Sequence, residues 1–166
     1  MSSFALGPQP TSGSVSGSVV HNPNAILVHE CMRNYPRLLA EIKHAPLQMM
    51  KGIVPDFVIS DNTCALYIST TNHTLYPTYL PKRIRELGRA YKLRTLVCLV
   101  ESDDNVKCLE DINKLCFTSE LTLILAWSVV EAARYIESLK ALERKGPEGK
   151  VETELLLPTL NKKIKK

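Results

Sequence analysis

The sequence has no Lys, Arg, Asp or Glu before Glu30, no Cys-x-x-Cys pair and no Gly-rich phosphate-binding pattern. Five cysteines, an odd number without a Cys-x-x-Cys pair, are not the pattern of a disulfide framework or of a usual zinc site. Cys64 and Cys98 lie in apolar runs, so we expect buried free thiols and a reducing compartment. The N-terminus lacks the basic and apolar regions of a secretory signal, and no apolar run reaches the roughly 18 residues that span a bilayer. We therefore expect no membrane partner.

The 166 residues, 45% hydrophobic and 23% charged, are typical of one globular domain with some tail. Residues 1–23 are uncharged and rich in Ser, Gly and Pro, which predicts a flexible leader. We expect the folded domain to comprise residues 24–146. Residues 147–166 end in NKKIKK and form a basic tail, which is either a solvated segment or a nuclear-import or phosphate-binding patch.

The apolar runs TLVCLV and LTLILAW lack in-out alternation, as expected for strands covered by helices on both faces. Strands are predicted at 25–28, 57–59, 64–68, 95–100 and 121–127, and helices near 36–44, 81–91, 106–117 and 129–144. The alternation in the second half predicts parallel strands, and the close early strands predict an antiparallel part. We therefore predict an α/β fold, a three-layer α/β/α sandwich with a mixed sheet.

Six basic residues face a single acid, Glu86, between positions 82 and 94. They are Lys82, Arg83, Arg85, Arg89, Lys92 and Arg94. Helical spacing would place Lys82, Arg85, Arg89 and Lys92 opposite an apolar face. A solvated helix face usually mixes both signs of charge, so this ratio favours binding of a polyanion.

An aromatic and polar group precedes these cations: Tyr67, Asn72, His73, Tyr76 and Tyr79. Pro81 predicts that the regular helix begins near it and that the preceding turn is separate. Aromatic rings beside cations suit single-stranded nucleic acid, since bases stack on the rings and cations follow the backbone. The same surface would suit a short peptide, and each tyrosine could instead belong to the core.

Candidate catalytic residues are few. His29, His44 and His73 are far apart and have no nucleophile pattern beside them. Asp56 and Asp61 could hold a divalent metal, but aspartates in a turn-rich segment are more often turn formers.

Three segments, PDFVISDNTCALYIST, HTLYPTYLPKRI and TLILAWSVVEAARYIESLKALE, resemble the central domain of the ERCC-one family (Rad-ten/Swi-ten type) over about residues 24–143. This family is the non-catalytic subunit of the XPF-type structure-specific DNA repair endonuclease. The resemblance implies a restriction-endonuclease-like, XPF nuclease-like fold that lacks the active site. Active relatives carry Gly-Asp and then Glu-Arg-Lys, where this chain has Pro55-Asp56 and Leu66-Tyr67-Ile68. We therefore expect no catalytic residue, no metal, no cofactor and no enzyme activity of this chain alone.

The resemblance also implies a groove for single-stranded DNA and for a short segment of the damage-verification protein XPA. Its predicted lining is Arg33, Tyr67, Ser69, Asn72, His73, Tyr76 and Tyr79, and the predicted DNA-binding residues are Lys82, Arg83, Arg85, Arg89 and Lys92. The chain departs from the family at Cys31, Tyr35 and Asn72, which stand where the family has a basic residue, an asparagine and a tyrosine.

Family members usually carry a helix-hairpin-helix domain that contacts the XPF-type subunit, and nothing after Gly146 has the length or glycines for one. The chain is therefore expected to be a truncated form or a divergent member. The resemblance implies a nuclear, heterodimeric protein that binds single-stranded and junction DNA. Its implied processes are nucleotide excision repair, at the 5′ incision, and interstrand crosslink repair. The alternative is a protein-interaction adaptor, or a short form unable to assemble the nuclease.

Overall fold

The apolar runs form the centre of a six-stranded sheet in the computed structural model, which describes residues 22–101 and 105–145. The strands are β1 (Ile26–His29), β2 (Leu47–Met50), β3 (Phe57–Val58), β4 (Thr63–Ser69), β5 (Leu93–Leu99) and β6 (Thr122–Ala126). The helices are α1 (Pro36–Glu41), α2 (Thr70–Leu75), α3 (Tyr79–Leu87), α4 (Val106–Thr118) and α5 (Val129–Lys145). A 3-10 helix, Glu30–Asn34, joins β1 to α1.

The strand order is β2-β1-β3-β4-β5-β6. β3 pairs antiparallel with both β1 and β4, whereas β4, β5 and β6 pair parallel to one another. This confirms the predicted mixed sheet. The parallel part is wider than predicted, because β1 also pairs parallel with β2, a strand that the sequence pattern did not indicate.

Helices cover both faces of the sheet, which explains the continuous apolar runs. Along β4, Cys64, Leu66 and Ile68 pack toward α3 and α4. Ala65 and Tyr67 point the other way, into a core completed by α1 and α5. Because each face has its own apolar layer, all seven residues of β4 are buried. The structure thus has the predicted three layers.

The region between β4 and β5 differs from the prediction. Thr70–Leu75 forms α2, whose first turn is capped by the Ser69 hydroxyl oxygen, an acceptor for the Asn72 backbone N–H at 3.1 Å. α3 begins two residues before Pro81, which is tolerated because the first helical N–H groups need no intrahelical partner. It ends at Leu87 rather than near 91, since Gly88 adopts a left-handed φ of 54°.

The side chains of Ser128 and Glu131 each accept a backbone N–H at the start of α5. The Glu131 N–H donates to the Ser128 hydroxyl at 3.1 Å, while the Glu131 carboxylate accepts the Trp127 N–H at 2.7 Å. Along α5, Ala132 and Ile136 are buried, whereas Leu142 is exposed.

Several charged side chains hold the layers together. Buried Arg94 donates to the carbonyl oxygens of Gly88 at 2.6 Å, Ser119 at 3.1 Å and Glu120 at 3.4 Å, so it joins the ends of α3 and α4. The Glu137 carboxylate accepts the backbone N–H groups of Lys43 and His44 and so joins α5 to the segment after α1.

Other predictions can be compared with the structure only in part. Cys64 and Cys98 are buried free thiols, as predicted. Within the described part of the chain, no helix is long and apolar enough to span a membrane. The described residues do not include the predicted leader except for its last two residues, the last residue of the predicted domain, Gly146, or the basic tail.

Candidate functional site

Two cavities meet at Tyr35, between the 3-10 helix and the start of α3. The first, of about 250 Å³, is lined by Cys31, Asn34, Tyr35, Asn72, Tyr76 and Tyr79. The second, of about 340 Å³, is lined by Asn34, Tyr35, Pro36, Arg37, Leu38, Tyr67, Ser69, Leu99, Glu101 and Val129. Since Asn34 and Tyr35 line both, the two cavities are adjacent, and we call them together the tyrosine groove.

Tyr35 is held at the middle of this groove by contacts from β4 and α2. Its ring meets the Tyr67 ring edge-on, with centroids 5.2 Å apart and planes at 77°. Its hydroxyl accepts a hydrogen bond from the Asn72 side chain. Burial, followed by the nearby Asp56 charge, raises the pKa of the Tyr35 hydroxyl, which therefore stays neutral and able to donate.

Tyr76 and Tyr79 form the open end of the groove. Tyr76 is 63% exposed and Tyr79 is 38% exposed, and the Tyr79 N–H donates to the Tyr76 carbonyl at 3.0 Å. Burial, with a smaller contribution from Asp56, raises the pKa of Tyr79 to about 12. Both rings are thus available to a planar ligand.

The exposed cations continue from this open end along α3. Tyr79, Lys82 and Arg85 follow one another at three-residue spacing, so they are neighbours on one side of the helix, and all three are exposed. We call them the α3 row. Arg89 and Lys92 are also exposed, but they follow Gly88 and therefore do not extend the helix face as predicted.

Two of the four exposed cations have an acidic neighbour, which weakens the positive potential around them. Lys82 lies 3.9 Å from Glu86, and Arg89 lies 3.2 Å from Glu120. Arg85 and Lys92 form no ion pair within the described residues. The unpaired positive charge is thus smaller than the sequence count of six suggests.

Arg83, one of the predicted DNA-binding residues, lies apart from these cations. Its side chain is 12% exposed and its Nη2 donates to the Asp56 Oδ1 at 2.7 Å. Burial opposes the charge of Arg83, but the charge and hydrogen bond of Asp56 outweigh it and raise the pKa. We therefore leave Arg83 out of the exposed surface.

The remaining predicted groove residues divide into three groups. Tyr67 and Ser69 line the second cavity of the tyrosine groove, which we call the inner cavity. Arg33 is exposed in the 3-10 helix and lines neither cavity. His73 is buried on the other side of α2, in a cavity of about 350 Å³ lined also by Thr74, Pro77, Asn105, Lys107, Cys108 and Asp111, and burial lowers its pKa.

The predicted lining did not include nine residues of the groove, among them Asn34, Tyr35, Arg37 and Glu101. Glu101 follows β5 and Ser69 ends β4, and the carboxyl ends of parallel strands meet at one edge of a sheet. That rule could have found Glu101. Tyr35 was named only as a departure from the family, because its place in the groove depends on contacts with Tyr67 of β4 and Asn72 of α2.

The residues around Asp56 do not fit the divalent metal that the nuclease fold implies. Buried Asp56 accepts hydrogen bonds from the Tyr67 backbone N–H at 2.8 Å and from the Arg83 guanidinium. Leu66, which cannot bind a metal, stands where the active relatives have their second acid. Asp61 is exposed in the turn before β4. Over residues 22–101 and 105–145, no group of three or more His, Cys, Asp or Glu side chains is placed to hold a metal ion.

A family model and individual known sequences indicate the same family for this chain. A family model described as the binding domain of DNA repair protein Ercc1 (rad10/Swi10) matches residues 23–146. The chain is 39% identical over 148 residues to the DNA excision repair protein ERCC-1 of Arabidopsis thaliana, covering 87% of this chain and 36% of that protein. It is 39% identical over 139 residues to the mating-type switching protein swi10 of Schizosaccharomyces pombe, covering 84% and 53%. The chain thus spans about a third to a half of these relatives.

Two solved structures share the fold. XPF from Aeropyrum pernix in complex with DNA matches with a TM-score of 0.61 and 14% identity, over 78% of this chain and 69% of that one. XPF from Aeropyrum pernix alone matches with a TM-score of 0.58 and 16% identity, over 74% and 66%. These matches confirm the predicted XPF nuclease-like fold.

Proposed function

The chain belongs to the Rad10 family, the Ercc1 and Swi10 type, and from that premise we propose that it is a non-catalytic, DNA-binding subunit of a repair endonuclease. In this role it binds single-stranded DNA beside a duplex junction during nucleotide excision repair, in the nucleus, and positions an XPF-type catalytic subunit. The 5′ incision and interstrand crosslink repair belong to the same proposal.

The observation that carries the proposal is the α3 row. Tyr79 stands at the open end of the tyrosine groove, and the exposed Lys82 and Arg85 follow it on the same side of one helix. A strand of DNA could stack an unpaired base on the tyrosines while its phosphates pass the two cations. The lack of catalysis is supported by Asp56, whose carboxylate is occupied by Arg83.

The experiment is a salt series. Fluorescence anisotropy of the chain with a single-stranded oligonucleotide is measured for the wild type and for Lys82→Gln/Arg85→Gln. Each lost phosphate contact should lower the slope of log K against log salt by about 0.7, so the double variant should lose about 1.4. Lys43→Gln/Lys114→Gln removes two exposed lysines outside the α3 row and is the matched control. Equal slopes for all three proteins contradict DNA binding by the row.

A second function, protein-interaction adaptor, is supported by the inner cavity. Arg37, Glu101 and Val129 give it both charges and an apolar wall, which suit a peptide better than a phosphate backbone. In that case the chain binds an XPA-type peptide, Val129→Arg abolishes the binding, and no DNA binding is seen even at low salt. Co-purification tests assembly with the XPF-type subunit.

A further inference from the structure

Lys140 of α5 is a buried cation whose hydrogen-bond partners are both uncharged. The residue is 5% exposed, and its ammonium donates to the carbonyl oxygens of Ile59 at 2.7 Å and Pro23 at 3.0 Å. An ammonium has three N–H donors, so one of them has no partner among the described residues. Burial, followed by the positive charge of Arg144, lowers the pKa of Lys140, and Glu143 offsets this only in part. A buried charge is normally paired with an opposite charge, and Lys140 forms no ion pair in the described part of the chain.

Lys140 lines a cavity of about 360 Å³ between α5 and the segment after α1, which we call the α5 cavity. Arg134 and Arg144 line it as well, and both are exposed. Within residues 22–101 and 105–145 neither arginine forms an ion pair, and the side chain of Arg144 donates only to the carbonyl oxygen of Asn24, at 3.4 Å. Three cations of one helix thus converge on this cavity without an acidic partner.

Glu137 is the one carboxylate among the described residues that line the α5 cavity, and its oxygens are already engaged. One oxygen accepts the backbone N–H groups of Lys43 and His44, and the other lies 3.0 Å from the Nδ1 of the His44 ring. With three cations against one carboxylate, the lining has an excess of positive charge. Charge complementarity therefore favours an anionic occupant.

The shape of the α5 cavity favours a peptide over a nucleic acid. Ala45 and Ala141 line it, and no Phe, Tyr or Trp does so among the described residues, so an unpaired base would find no such ring to stack on. The phosphates of a DNA strand follow one another at regular spacing and suit a row of cations, whereas here the cations surround one cavity. An Asp or Glu side chain brings one carboxylate on a short apolar stem, which matches both the charges and the alanines.

We propose that the α5 cavity is a docking site for an acidic side chain, Asp or Glu, of a partner protein. The carboxylate accepts the third N–H of Lys140 and pairs with the guanidinium groups of Arg134 and Arg144. The proposal does not depend on DNA binding, because α5 packs on one face of the sheet and α3, which carries the α3 row, packs on the other.

The test is a nuclear magnetic resonance titration of the isotope-labelled full chain with the peptide acetyl-Ala-Ala-Glu-Ala-Ala-amide. The backbone amide signals of Ala45 and Ala141 report on the α5 cavity. The Glu peptide should shift both signals until they saturate, and the same peptide with Gln in place of Glu should leave them unchanged. The proposal is overturned if the Glu peptide gives no shift or if the Gln peptide gives an equal one.

Two double variants separate this cavity from general attraction to a basic protein. Arg134→Gln/Arg144→Gln should weaken binding of the Glu peptide by about tenfold or more, because two charge-assisted contacts are lost. Lys107→Gln/Lys114→Gln removes two exposed cations of α4, which packs on the opposite face of the sheet, and should bind like wild type. Equal binding by wild type and both variants would contradict docking at the α5 cavity.

Lys140→Met removes the buried charge but keeps an unbranched side chain, so it should abolish the saturable shift. Binding of the Glu peptide by folded Lys140→Met as tightly as by wild type would mean that Lys140 only holds the fold, and it would overturn the proposal. If Lys140→Met does not fold, the arginine double variant decides. A single-stranded oligonucleotide should not displace the Glu peptide, and displacement would overturn the assignment to a protein partner.

Discussion

Replacement of Tyr76 by alanine separates base stacking from structural packing. The ring is 63% exposed, and it lines the open cavity rather than either core layer. Its removal should therefore change the melting temperature little. If an unpaired base stacks on it, the loss of binding should be about 1–3 kcal/mol, or roughly 5- to 150-fold in the dissociation constant.

The assay is anisotropy with a single-stranded oligonucleotide at fixed, low salt. Tyr76→Phe retains the ring and should bind like wild type. Phe117→Ala removes a ring that is 84% exposed near the end of α4 and lines neither cavity of the groove, so it should have no effect. Stacking by Tyr76 is refuted if its alanine variant binds within a factor of about two of wild type, or if Phe117→Ala loses as much.

Two substitutions test the charged contacts that hold the fold. Glu137→Gln should cost about 2 kcal/mol of unfolding free energy at neutral pH, because the carboxylate accepts the N–H groups of Lys43 and His44. Burial opposes its charge, but these bonds outweigh it and lower the pKa of Glu137 from 4.5. The loss of unfolding free energy in Glu137→Gln should thus have its full size above pH 4.5 and disappear as the pH falls through the lowered pKa. Urea titrations measure this loss. Glu41→Gln, which loses only a surface pair with Lys43, should stay near zero, and an equal effect would refute the assignment. Arg94→Met should cost about 2–4 kcal/mol, since three carbonyl oxygens lose a charged donor; a melting temperature equal to that of wild type would contradict this.

The central sheet could be predicted because its sequence pattern has a direct physical cause. Leu66 and Tyr67 are adjacent, yet each is buried because helices cover both faces of β4. β2 was missed because it is a short, half-exposed edge strand whose place depends on pairing with β1, 21 residues earlier at Ile26↔Leu47. α2 was missed because its sequence, TTNHTL, has no apolar face, and its cap and packing decide its structure.

The candidate site was harder to predict because residues of one chemical type have different surroundings. Arg83 and Arg85 are two positions apart, but only the folded chain brings Asp56 to Arg83, 27 positions away. Because α3 ends at Leu87, Arg89 likewise does not lie on the predicted helix face. Spacing along a helix predicts a face only as far as the helix extends.

The placement of the charges has a consequence for how single strands would be distinguished from duplex DNA. Two of the six cations, Arg83 and Arg94, are bonded inside the protein, and Lys82 and Arg89 have acidic neighbours. Phosphate contacts are available on both kinds of DNA, so a few exposed cations give little preference for either. Unpaired bases, in contrast, can stack on exposed tyrosines, whereas paired bases cannot without opening the duplex. Preference for a single strand in this domain should therefore arise from the tyrosine groove, with the α3 row contributing affinity that any strand can use.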